Sequence, residues 1–200
     1  MAIAIKQDIY STLRSLCMEM REKKEKMSVT DTMMRLMDVE GLPIHCPHHH
    51  FIVPAALLTQ AAIEREISEK EFQGWLSKAE RRGKSIPGGI CGECGACGAG
   101  IGIGIFFSVI NGTTPKSGET WKWANQATGN ALLHIASYGG PRCCKRTSFL
   151  AVLHSIDFIN EKCELHLSAP QKLKCRYHDK NTECLREKCP FYPTGENNQL

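Results

Sequence analysis

No apolar run in this sequence approaches the ~20 residues that a membrane-spanning helix requires. The one membrane candidate, Gly98 to Ile110, is thirteen residues long and studded with glycine. It reads as a buried core helix, and no membrane partner is expected. The opening residues, MAIAIKQDIY, lack the apolar core of an export leader because Lys6 and Asp8 interrupt it, which points to the cytoplasm. Charge of one sign is not concentrated either. A net +4 is spread along the chain, and the densest basic patch, REKKEK at Arg21 to Lys26, is interleaved with glutamates as a solvated helix face is. Aromatic residues make up only 7%. Without a basic face or an aromatic platform, no nucleic-acid partner is expected. Hairpin signals are missing as well, which argues against an all-β fold.

What is present suits one compact core: 200 residues, 42% of them hydrophobic. Ile9, Leu13, Leu16 and Met20 recur at helical intervals and predict a helix over roughly 5–26. Thr30 as N-cap and Gly41 as stop bound a second. In LPIHCPHHHFIVPAALLTQAAIEREI, Pro47 or Pro54 suits a first-turn position, and the apolar side chains continue to Ile67. Ser68 and Glu71 have capping-box spacing, so a further helix should run from there to Gly83.

Glycines 98, 100, 102 and 104 alternate with apolar residues, as in a strand. The length of the run and the four-residue spacing of Gly98/Gly102 and Gly100/Gly104 favour a closely packed helix instead. Another helix begins near Ser117 and closes at Gly139 and Gly140. The next has Pro141 in its first turn and Phe149, Leu150, Leu153 and Ile156 on one face. The fold class expected is therefore mainly α: a single helical domain of six or seven helices over 1–162, an irregular cysteine-rich metal-binding clip over 163–192, and a disordered tail over 193–200.

Eleven cysteines in a chain without an export signal argue against a disulfide framework and for metal ligation or thiol chemistry. Cys17 stands apart on an apolar helix face and reads as a small hydrophobe. Cys91, Cys94 and Cys97, at two-residue gaps among glycines, match the first three ligands of a bacterial ferredoxin run without its fourth. GAGIGIG is a weak phosphate-cradle signal, since neither a P-loop lysine nor a Rossmann acid accompanies it. In GGPRCCKR, the neighbours Cys143 and Cys144 cannot both point one way, so one faces a ligand while the other packs or serves a different partner. Arg142, Lys145 and Arg146 would stabilise a thiolate or an anionic substrate. From HCPHHH, His45 and His49 are chosen as site-facing imidazoles. Cys175, Cys184 and Cys189 lie in a proline-bounded segment with Cys163 or His178 available as a fourth ligand, which suits an iron–sulfur cluster or a structural zinc. One shared centre is expected to join Cys91 and Cys97 to a cysteine of the 143/144 pair and a histidine of the 45–50 cluster.

Taken in order, HCPHHHFIVPAALLT, PGGICGECGACGAGIG, GGPRCCKR and the final cysteine triplet resemble, over roughly residues 30–192, an uncharacterised cysteine- and histidine-rich domain family. It occurs in anaerobic bacteria and archaea, alone or attached to class I methyltransferase domains. The resemblance implies an anaerobic setting in which an oxygen-sensitive cluster is tenable, and it implies no specific activity. In the family pattern Cys91 and Cys97 match better than Cys94, where an aromatic residue often stands. The chain has no methyltransferase glycine motif of its own, so any methyl-transfer role needs a separate partner. The function expected is that of an iron–sulfur (4Fe-4S) or other metal-binding protein with a redox or thiol- and sulfur-related enzymatic role, working with a redox or methyltransferase partner. The alternative is a zinc-stabilised protein-interaction module.

Overall fold

The structure, a computed structural model, describes residues 8–170 and 172–193. The expectations for residues 1–7 and for the tail over 194–200 lie outside the described residues. Within them the chain is all-helical: α1 (Ile9–Glu22), α2 (Val29–Met37), α3 (His49–Glu64), α4 (Glu69–Lys84), the single turn α5 (Ile90–Glu93), α6 (Gly98–Ile110), α7 (Glu119–Ser137), α8 (Cys144–Leu153) and α9 (Ile156–Cys163). Two short 3-10 turns, His178–Lys180 and Arg186–Lys188, follow in the C-terminal segment.

Local chemistry explains most of the boundaries. Ser68 caps α4 by accepting from the Glu71 amide at 3.3 Å, as its spacing predicts. For α2 the cap is Ser28, not Thr30: the Ser28 hydroxyl accepts from the Asp31 amide at 3.0 Å, and Thr30 lies inside the helix. The helix also stops at Met37, and Gly41 serves the following turn with φ +78°. Pro54 is inside α3 rather than in its first turn, and Pro47 precedes it. Pro141 lies before α8, whose N-cap is Cys143. The helix expected from Pro141 onward is two helices. α8 closes at Leu153 and α9 begins at Ile156, with Ser155 between them making no side-chain capping bond and Asp157 in the first turn of α9. That break and the single turn α5 account for nine helices instead of six or seven among the described residues.

Two helices form the centre. Every residue of α3 from His49 to Ile63 is buried, and α6 is charge-free. A helix that is apolar all round belongs in a core. No helix among the described residues is long and apolar enough to cross a membrane. α1, α2, α4, α6 and α8 pack on α3, while α7 lies along α6.

The glycines of α6 make these approaches possible. A Cβ at Gly102 would stand 3.1 Å from Val53 Cβ and 3.1 Å from Pro54 Cδ, so this edge faces α3. On the other edge, a Cβ at Gly100 would meet Leu132 at 2.8 Å, and one at Gly104 would meet Thr128 Oγ1 at 2.1 Å, both on α7. The two four-residue glycine spacings thus serve two different neighbours. Cys17 is fully buried in the core, and burial pushes its thiol up to about 12. Leu165, Leu167, Leu173, Tyr177 and Phe191 of the C-terminal segment are buried against the same core.

Candidate functional site

Three helix N-termini, those of α3, α6 and α8, open onto one cleft of about 570 Å3. His45, Cys46, His49 and His50 line it from the approach to α3, Cys91 from α5, Cys97, Gly98 and Ala99 from the start of α6, and Cys143, Cys144 and Arg146 from α8. Where serine or aspartate usually caps a helix, this chain has imidazole and thiol. His48 at the start of α3 and Cys97 at the start of α6 make no side-chain capping bond; in α3 the His49 and His50 amides bond instead to the Cys46 and Pro47 carbonyls at 3.3 and 2.9 Å.

His49 is the most constrained of these groups. It is 1% exposed, its Nδ1 lies 3.1 Å from the Cys46 carbonyl and 3.4 Å from Cys46 Sγ, and its Nε2 is buried with no hydrogen-bond partner. A proton on Nδ1 donated to that carbonyl leaves the Nε2 lone pair free. Burial, with Lys145 nearby, lowers the His49 pKa to about 3, so the ring stays neutral. Burial also raises the Cys46 thiol, and it raises Cys144 to about 11, helped by the proximity of Cys46, Cys97 and Cys143. These thiols are protonated at neutral pH unless a cation joins them.

His50 completes the wall. Its Nδ1 faces the Ile86 carbonyl at 3.3 Å, and its ring occupies the space a side chain at position 98 would need, since a Cβ there would stand 2.1 Å from His50 Cδ2. Gly98 is therefore required for His50 to reach the cleft.

A second, much smaller cavity of about 20 Å3 lies under the C-terminal segment, and Cys143, Cys175, Cys184 and Cys189 all line it. Here Cys143 accepts from the Arg146 amide at 3.5 Å and from Asn181 Nδ2 at 3.6 Å. The Asn181 carboxamide oxygen lies 3.0 Å from His45 Nε2, so His45 is tied to this cavity as well as to the cleft. Burial and the neighbouring Cys143, Cys189 and Cys184 raise Cys175 to about 11.

The structure thus places Cys91, Cys97, Cys143, Cys144, His45 and His49 around one cleft, and Cys175, Cys184 and Cys189 around the small cavity. Cys143 borders both, while its neighbour Cys144 borders only the cleft. Cys94 is exposed and lines neither. Cys163 is buried elsewhere, 3.8 Å from Asn111 Nδ2, whereas His178 does line the small cavity. Among the described residues no group of three or more histidine, cysteine, aspartate or glutamate side chains is placed so that it could hold a metal ion.

Choosing His45 and His49 from HCPHHH passed over Cys46. Its signal was its position three residues before His49, one helical turn away. The pairing of Asn181 with Cys143 had no sequence signal.

A model described as a family of unknown function, DUF5714, matches residues 13–192. No curated protein matches the chain, and no solved structure does.

Proposed function

The chain belongs to DUF5714, a family of unknown function, and since that membership carries no activity to inherit, we propose from its own residues that it is a metal-binding protein with redox or thiol- and sulfur-related chemistry in its cleft. The observation that carries the reading is the buried, neutral His49 with an unpartnered Nε2, in a cleft that also holds Cys46, Cys97 and Cys144. A buried polar atom without a partner is costly, and a metal ion is a natural partner for an imidazole lone pair beside thiols.

Cys46, Cys97, Cys144 and His49 would hold the centre, with Cys91 and His45 at its margins. The donor set fits an iron–sulfur cluster, 4Fe-4S by preference, or zinc. When bound, such a centre supplies electron transfer or a Lewis acid. The chain's own groups do the rest. The Cys46 carbonyl fixes the His49 tautomer, Gly98 admits His50, and the exposed Arg142 offers positive charge to an anionic substrate at the rim. Cys175, Cys184 and Cys189 form a metal-binding clip for the C-terminal segment. A cytoplasmic, anaerobic setting and a redox or methyltransferase partner belong to the same proposal.

Anaerobic purification with counts of iron, zinc and acid-labile sulfide tests it. A brown protein with iron and sulfide, which Cys97→Ser and His49→Gln each deplete, supports the reading. A preparation whose metal content neither substitution changes overturns it. The second reading, a zinc-stabilised interaction module, is favoured by Leu133 and Trp121 on α7, which are 70% and 49% exposed. It predicts a colourless protein containing zinc and no sulfide.

A further inference from the structure

We propose that Cys143, Cys175, Cys184 and Cys189 bind a single tetrahedral divalent ion, zinc or iron(II), with Cys143 of the α8 cap as the fourth ligand. This rests on the reading of the tail as a metal clip and specifies its ligands and nuclearity. Two of the three tail cysteines share one local arrangement in which the amide two residues later bonds to the sulfur. Tyr177 N–H lies 3.4 Å from Cys175 Sγ, and Arg186 N–H lies 3.4 Å from Cys184 Sγ. Amides aimed at sulfur stabilise thiolates, which are the form that ligates. The segment's two ends are also pinned together, since Cys175 N–H donates to the Phe191 carbonyl at 2.6 Å.

Charge supplies an independent argument. Lys145 and Arg146 both line the small cavity, 2% and 3% exposed, and neither stands within 4.0 Å of a carboxylate among the described residues. Lys145 lies over the Tyr177 ring at 4.7 Å, and Arg146 donates to the Gly139 and Pro141 carbonyls at 2.9 and 2.7 Å. Two buried cations without a counter-anion are expensive. Four thiolates around one divalent ion carry a net charge of minus two, which these two side chains neutralise.

Size selects the occupant. A cavity of about 20 Å3 is room for roughly one water-sized sphere, which suits an ion drawn in on four sulfurs and not a cluster. The other two candidates for fourth ligand are less suited. Cys163 is buried away from the cavity, and His178, which lines it, is a neutral ligand that would bring no fourth negative charge to balance Lys145 and Arg146. Because Cys144 is the next residue, the clip also sets where α8 presents its thiol to the cleft.

The test uses the full chain. Metal content is measured by mass spectrometry after reconstitution with zinc, iron(II) or cobalt(II), for the unaltered protein and for Cys143→Ser, Cys184→Ser, Cys163→Ser and His178→Ala. Cys143→Ser and Cys184→Ser should each lose one ion per chain, while the other two keep it. Should Cys143→Ser fail to fold, alkylation of the unaltered cobalt-loaded chain gives the same answer, with Cys143, Cys175, Cys184 and Cys189 protected by metal and released by a chelator. Retention of the ion by Cys143→Ser, or its loss from Cys163→Ser or His178→Ala, overturns the proposal while leaving a clip. Absence of any ion responsive to Cys184→Ser overturns the clip too. The metal of the cleft is read separately, by Cys97→Ser and His49→Gln.

Discussion

Gly102→Ala isolates what the glycine run does. Alanine in a helix interior is worth about 1 kcal/mol over glycine, so the exchange should stabilise α6 if space allowed it. Space does not allow it. The new Cβ would lie 3.1 Å from Val53 Cβ, 3.1 Å from Pro54 Cδ and 3.2 Å from Val53 Cγ1. The first two belong to a branch point and a ring fixed to the α3 backbone, so no rotation relieves the contact and the helices must part. Overpacking of this kind costs about 1–3 kcal/mol, and the net effect is a loss of roughly 0–2 kcal/mol. Gly129 in α7 is the control: it is exposed, and nothing lies within 4 Å of the position of its Cβ. Gly129→Ala should therefore stabilise by about 0.5–1 kcal/mol. Urea unfolding followed by helical circular dichroism compares the two. A Gly102→Ala protein as stabilised as Gly129→Ala would refute the claim that α3 and α6 need a glycine at their crossing.

Acid should destabilise the fold beginning near pH 6.5. Burial lowers the pKa values of His48, His49 and His50, and that of His154, whose ring stacks on His134 at 3.8 Å. Below the ordinary histidine value the unfolded chain takes up protons that the folded chain refuses, so stability present above it is lost as pH falls toward each folded value. For His49, held at about 3, the loss is about 2 kcal/mol at pH 5, and a metal on Nε2 would add to the trend. Urea midpoints at pH 7 and pH 5 should differ more for the unaltered protein than for His49→Gln, and an equal difference would remove His49 as the source. Thiol alkylation mapped by mass spectrometry should modify the exposed Cys94 early and the fully buried Cys17 only on unfolding. Labelling of Cys17 at the rate of Cys94 would contradict its burial.

Some of this protein is written in short-range chemistry, and the sequence alone determined it. Ser68 with Glu71 starts α4 because a hydroxyl satisfies an amide three residues on. The four-residue glycine intervals announce close helix approach because one helical turn places them on one edge. The count of eleven cysteines directs attention to metals and thiols. Where a boundary differs, a competing local choice explains one case: Ser28 outcompetes Thr30 as the cap of α2. Tertiary structure alone decided which glycine edge meets α3 and which meets α7, that Cys46 and His49 share one cleft with Cys97 and Cys144, and that the adjacent Cys143 and Cys144 part company, one to both cavities and one to the cleft only. A thiol has no periodicity and no capping preference strong enough to reveal its neighbours. Cys46, Cys97 and Cys144 stand more than 40 residues apart along the chain, and only the packing of α3, α6 and α8 brings their segments together.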